Sequence, residues 1–190
     1  LPAPFQRLAA SSLLANLAEQ MSLAAAPLVA VIVLGSGASG TGLLQAAQTL
    51  PFLLLAIPAG VLADRTSRHR LMAIAESLRL SSLVAILALL LADRLSFPLL
   101  AMLGFLGATG TVVFSVCTPV LTPALVPRPA LRQANRTLEL VRSVTYIGGP
   151  ALGGALVGWT GANPAFAGAA ILSAGAVVLL AGIREPLRPT

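Results

Sequence analysis

Chemistry in this 190-residue chain begins with one carboxylate in an apolar setting. Glu19 lies within a hydrophobic stretch, and no Asp, Glu, Lys or Arg follows from Gln20 to Ala63. Counted from Leu8 it stands eleven residues into a helical span, about 16 Å along at 1.5 Å per residue. A charge that far from water is costly, and the usual tasks of such a carboxylate are to carry a proton or to hold a cation. Asn16 lies one turn earlier on the same face, and Gln20 is adjacent. The competing reading is a structural Glu, hydrogen-bonded to a neighbouring helix. Further along, Gln45, Gln48 and Thr49 form a polar stripe at i, i+3 and i+4, which faces either a water-filled cavity or another helix.

Two further acid–base spacings are present. Glu76 and Arg79 stand three apart, as do Glu139 and Arg142, and each couple can pair on one helix face. Glu76 is expected near the cytoplasmic end of the third span, within reach of the arginines of the preceding loop, so a structural pair is the expectation for both couples. Thr109, Thr111, Ser115, Thr118 and Thr122 cluster around Pro119 and Pro123. Such hydroxyls commonly bond their own backbone, which weakens them as a binding signal. Cys117 has no second cysteine to pair with and reads as a small buried hydrophobe. Clusters of histidine and cysteine are missing, so neither a metal site nor a cofactor is expected. Gly37–Ala38–Ser39–Gly40 resembles the GxSG of rhomboid proteases. Ser39 and the single histidine, His69, nevertheless fall at opposite ends of a span, about 30 Å apart, so no nucleophile–base pair can form. No enzyme is expected.

The elements that must position these groups follow from composition. Hydrophobic residues make up 57% of the chain and charged ones 9%, with a mean hydropathy of +0.92. Soluble domains carry about a quarter charged residues, so the chain reads as a membrane protein. Six segments reach the ~20 residues that a bilayer requires. They lie near 8–34, 41–63, 71–92, 97–125, 136–159 and 163–183, as one six-helix domain over 1–190. Glycine and proline clusters mark the breaks. Prolines within spans (Pro27, Pro51, Pro58, Pro119, Pro123 and Pro150) are tolerated in membranes and supply bends where a cavity can open. Glu19 and Gln20 interrupt the first apolar stretch, so it is no cleaved signal, and the opening at Leu1 reads as a trimmed start.

The pI of about 11.5 does not point to nucleic acid, because aromatics are only 4% and all twelve basic residues are arginines that fall largely on one side. Arg7, Arg65, Arg68, Arg70, Arg128, Arg132, Arg136, Arg184 and Arg188 flank one set of span ends, while the opposite loops hold only Arg94. The positive-inside rule then puts both termini in the cytoplasm.

One of those basic loops carries a motif. Gly60, Leu62, Asp64, Arg65 and Arg68 resemble the G-x-L-a-D-r-x-G-r-k signature between the second and third helices of major facilitator transporters, with Ser67 and His69 replacing its second glycine and its lysine. In the fifth span, Gly149, Pro150, Gly153 and Gly154 resemble the G-P-x-x-G-G of the exporter branch, whose leading glycine is Thr145 here. Gly149/Gly153 and Gly154/Gly158 are also small-xxx-small spacings that admit close helix packing. Leu125–Val126–Pro127 followed by Gln133–Ala134–Asn135 resembles the fourth-to-fifth loop of drug-exporter members.

The resemblance covers the whole chain as the amino-terminal half of a major facilitator protein, an all-α membrane fold of two inverted three-helix repeats. It implies efflux-type secondary transport of small amphipathic or cationic molecules in a bacterial inner membrane. The fourth-span arginine of many proton-coupled members is absent. It further implies that Asp64 caps a helix start across the interface between two bundles; in a pair of copies, that start would be the fifth span at Asn135 and Arg136. One half cannot alternate access alone. The partners implied are therefore the bilayer, a small-molecule substrate, and either a second copy or a missing second half. A non-transporting regulatory or degenerate half is the alternative.

Overall fold

Backbone N–H and C=O groups find no water within a hydrocarbon layer, so a spanning segment must satisfy them internally, and a helix does so. A computed structural model describes residues 1–183 and folds them into six helices. These are α1 (Ala3–Ile32), α2 (Ala38–Arg65), α3 (Arg68–Leu91), α4 (Phe97–Leu125), α5 (Leu131–Thr160) and α6 (Ala162–Ala181), with a single 3-10 turn, Arg128–Ala130, ahead of α5. All six are long and apolar enough to cross a membrane, and no strand occurs among the described residues. The all-α fold is as expected, half of a major facilitator fold.

Several ends differ from the hydropathy reading. α1 and α5 each begin five residues before the expected starts at 8 and 136. Asn135 and Arg136 are therefore in the second turn of α5, not its first. Asp64 and Arg65 belong to the last turn of α2, and Arg68 opens α3, leaving Thr66 and Ser67 alone between the helices. The physical reason is common to all. Hydropathy marks where the hydrocarbon ends, whereas i→i−4 hydrogen bonds continue into charged turns beyond it. At the other side, Gly161 alone joins α5 to α6 with φ +92°, a left-handed conformation that suits glycine. Asn163 and Pro164 lie inside the first turn of α6, where a proline costs no hydrogen bond. Arg184 and Arg188 lie outside the described residues.

Packing separates two apolar cores along the helices. One gathers Ala18, Met21 and Val29 of α1 with Leu83 and Ile86 of α3 and Phe166 of α6. The other gathers Phe5 and Leu8 with Met72, Phe114, Leu121 and Leu180. Between them, halfway along the helices, lies a layer of buried polar groups: Glu76, Arg79, Thr111 and Ser173. Glycines close the seams. A Cβ at Gly110 would collide with the Ala75 carbonyl, and one at Gly153 would come 2.5 Å from that of Met21. Gly149 packs as closely on Gln20, whereas Gly154 and Gly158 face open space. α2 and α5 keep long apolar faces uncovered, with Leu53, Ile57, Ile147 and Trp159 more than three-quarters exposed.

Candidate functional site

Two cavities, of about 250 and 340 Å³, open between α1, α2, α4 and α5. Both are bordered by Glu19, Phe52, Arg79, Thr111 and Tyr146. Each of those five residues lies within two positions of the midpoint of its helix. Away from that level the cavities diverge. The smaller continues past Gln20, Gln45, Gln48 and Gly104, and the larger past Asn16, Ser115, Asn135 and Arg142. On α1 and α4 the two sets run in opposite directions from the shared residues, while α2 and α3 continue only along the smaller cavity and α5 only along the larger. The cavities are thus stacked end to end, with Glu19 at the level where they meet.

The charges at this level are unequally served. Glu76 is fully buried; its Oε1 accepts a 2.5 Å hydrogen bond from Ser173 of α6, and its Oε2 lies 3.0 Å from Nη1 of Arg79. The same Nη1 donates to the Ala15 carbonyl at 3.0 Å, and Nη2 donates to the Thr111 hydroxyl at 2.8 Å. Arg79 therefore ties α3 to α1 and α4, while Glu76 ties α3 to α6. Glu19 stands beside Arg79 and Thr111 but makes no ion pair within 4.0 Å among the described residues. Two carboxylates and one guanidinium share the layer, and the guanidinium is committed to Glu76. A carboxyl so placed is chemically able to take up a proton or a cation.

The family model described as transmembrane secretion effector matches residues 3–188. An uncharacterized MFS-type transporter, y4rN of Sinorhizobium fredii, is 30% identical over 158 residues, a match covering 76% of this chain and 36% of the relative. The chain belongs to the major facilitator superfamily. It is an integral membrane protein of a transporter family, and it spans about a third of the length of that relative.

Within this major facilitator fold the expected residues separate clearly. Glu19, Asn16, Gln20, Gln45 and Gln48 all border one cavity or the other. The α1 helix starts earlier than expected, which sets Glu19 about 24 Å along it rather than 16, still near its middle. Glu76 and Arg79 do pair, but deep between helices and with Ser173, instead of near the cytoplasmic end of their helix beside the loop arginines. Burial on all sides by α1, α4 and α6 carries them there. Glu139 and Arg142 do not pair; Arg142 lies over the Tyr146 ring, 5.5 Å from its centre. Both residues are exposed on the cavity wall, where water screens the attraction.

The motif residues Gly60, Leu62, Asp64, Arg65 and Arg68 stand at the α2–α3 end, away from either cavity. On α5, Gly149 and Gly153 press onto Gln20 and Met21, the two residues after Glu19, and so set how closely the site-bearing turn of α1 approaches α5. Thr109, Ser115, Thr118 and Thr122 each bond a backbone carbonyl of their own helix, as expected, while Thr111 serves Arg79. Ser39 and His69 stand in the first turns of α2 and α3, at opposite ends of α2. Phe52, Tyr146 and Phe166 are cavity residues that the sequence reading passed over. For Arg79 a signal existed: a charge at the middle of a span, the same argument that singled out Glu19.

Proposed function

We propose that this protein is an efflux-type secondary active transporter of small amphipathic cations, coupled to protons through Glu19. The observation that carries the reading is the position of Glu19, at the level shared by two stacked cavities, with the neighbouring guanidinium already held by Glu76. A carboxylate there exchanges a proton on one side for a cationic substrate on the other, since both neutralise the same charge and only one fits at a time. The description of the family model, a secretion effector, supports export as the direction.

Alternating access takes two bundles rocking about a site between them. The uncovered faces of α2 and α5 are the surfaces a second six-helix unit would meet, either a second copy of the chain or a further part of a longer one. The arginine asymmetry supports a bacterial inner membrane with both termini cytoplasmic. A cysteine at Ser67 should then escape an impermeant thiol reagent applied to intact cells, and one at Ser39 should react. The reverse pattern rules out the orientation.

The central test is Glu19→Gln in proteoliposomes. The amide mimics the protonated state permanently, so uphill export driven by a proton gradient should fall to background while the protein remains folded. Proton-driven transport at the unaltered rate sinks the coupling role.

A further inference from the structure

Gln48 of α2 is buried to 7% exposure, yet no hydrogen bond reaches its amide oxygen. The amide occupies space freed by the missing side chain of Gly104: a Cβ there would lie 3.1 Å from its Nε2. It borders the smaller cavity together with Glu19. A buried amide without a partner is destabilising and asks for a hydrogen bond from whatever fills the space.

The polar groups around that space define the missing partner. A carboxylate at Glu19 only accepts hydrogen bonds, and the buried Oε1 of Gln48 is also an acceptor. Of the hydroxyls that border the cavity, Ser22 and Thr49 donate to the backbone carbonyls of Glu19 and Gln45. Arg79 borders the cavity as well, but Glu76 meets its charge. Glu19 and Gln48 thus place two acceptors on one cavity, whose wall includes Phe52, Tyr146 and Phe166. The complement is a cation carrying N–H donors on an apolar or aromatic body.

We propose that this cavity selects protonated amines over quaternary ammonium ions, Glu19 taking the charge and Gln48 accepting an N–H hydrogen bond. The proposal rests on the reading of Glu19 as the cation site and adds the substrate class. Its sign runs against simple desolvation, because a quaternary ion is the easier of the two to remove from water, so a purely apolar cavity would rank them the other way.

The test compares 4-phenylbutylamine with its N,N,N-trimethyl analogue, which has the same charge and body but no N–H. Binding is measured by calorimetry on the purified full chain in lipid nanodiscs. The amine should bind about tenfold more tightly, the scale of one hydrogen bond to a charged group. In Gln48→Leu that preference should vanish, whereas Glu19→Gln should weaken both ligands alike. Equal binding of the two by the unaltered protein overturns the proposal without needing any variant to fold. So does a preference that survives in Gln48→Leu. Failure of both cations to bind removes the cation reading of Glu19 and this inference with it.

Discussion

α3 and α5 carry the same Glu-x-x-Arg spacing, and the structure treats the two copies oppositely. Glu76 and Arg79 form a 3.0 Å pair between helices, both almost entirely buried. Glu139 and Arg142 stay exposed and apart, with Arg142 over Tyr146. In water an i, i+3 pair contributes only about 0.2–0.5 kcal/mol, so an aromatic face competes with it readily. Away from water, an unpaired charge is so costly that the pair must form. The glycines of α5 teach the same lesson in packing terms. Gly149/Gly153 and Gly154/Gly158 share a spacing, but only the first couple meets another helix. Spacing permits a contact; the surroundings decide whether it is made.

The largest effect should come from breaking the buried pair. Glu76→Ala leaves Arg79 with two neutral acceptors and should lower stability by about 3–5 kcal/mol, read from thermal unfolding in detergent. Replacing both residues by Leu should recover most of that loss, since neither member of the pair is then left without the other. A double variant as unstable as the single one would show that the charge was not the source. Glu139→Ala, the matched change on α5, should stay within about 0.5 kcal/mol of the unaltered protein. A loss comparable to that of Glu76→Ala would mean that the two copies are not different after all.

A smaller effect distinguishes the glycines. Gly153→Ala forces a methyl group against the Met21 carbonyl and should cost about 1–3 kcal/mol, with α1 displaced from α5. Gly154→Ala meets nothing within 4 Å and should be close to neutral or slightly stabilising, because alanine favours the helix. Equal melting temperatures for the two variants would contradict the packing described for α1 and α5.

Much of the architecture was legible from residue order. Six apolar stretches divided by glycine, proline and arginine clusters specify six helices, because a hydrocarbon layer leaves the backbone no other way to satisfy itself. Glu19 was legible as well, since a lone carboxylate within an apolar run stands out whatever the fold. The helix ends were not. The first turn of α5 at Leu131–Ala134 and the helix ends at Arg65 and Arg68 are polar enough to lie outside the hydrocarbon yet are helical, and hydropathy is blind to that distinction.

Sequence alone therefore determined the number and type of elements, the asymmetry of their basic ends and the family motifs. These depend on properties that each residue carries by itself: hydrophobicity, charge and backbone freedom. Tertiary structure decided which helix faces meet. It gave Arg79 to Glu76 and withheld it from Glu19, turned Gln48 inward without a partner, and brought Phe52 of α2 and Tyr146 of α5 to the level of Glu19. Those outcomes depend on distances between residues tens of positions apart. They are set by how six helices share one volume, and in this protein glycines at the α1–α5 and α3–α4 seams fix how closely they do so.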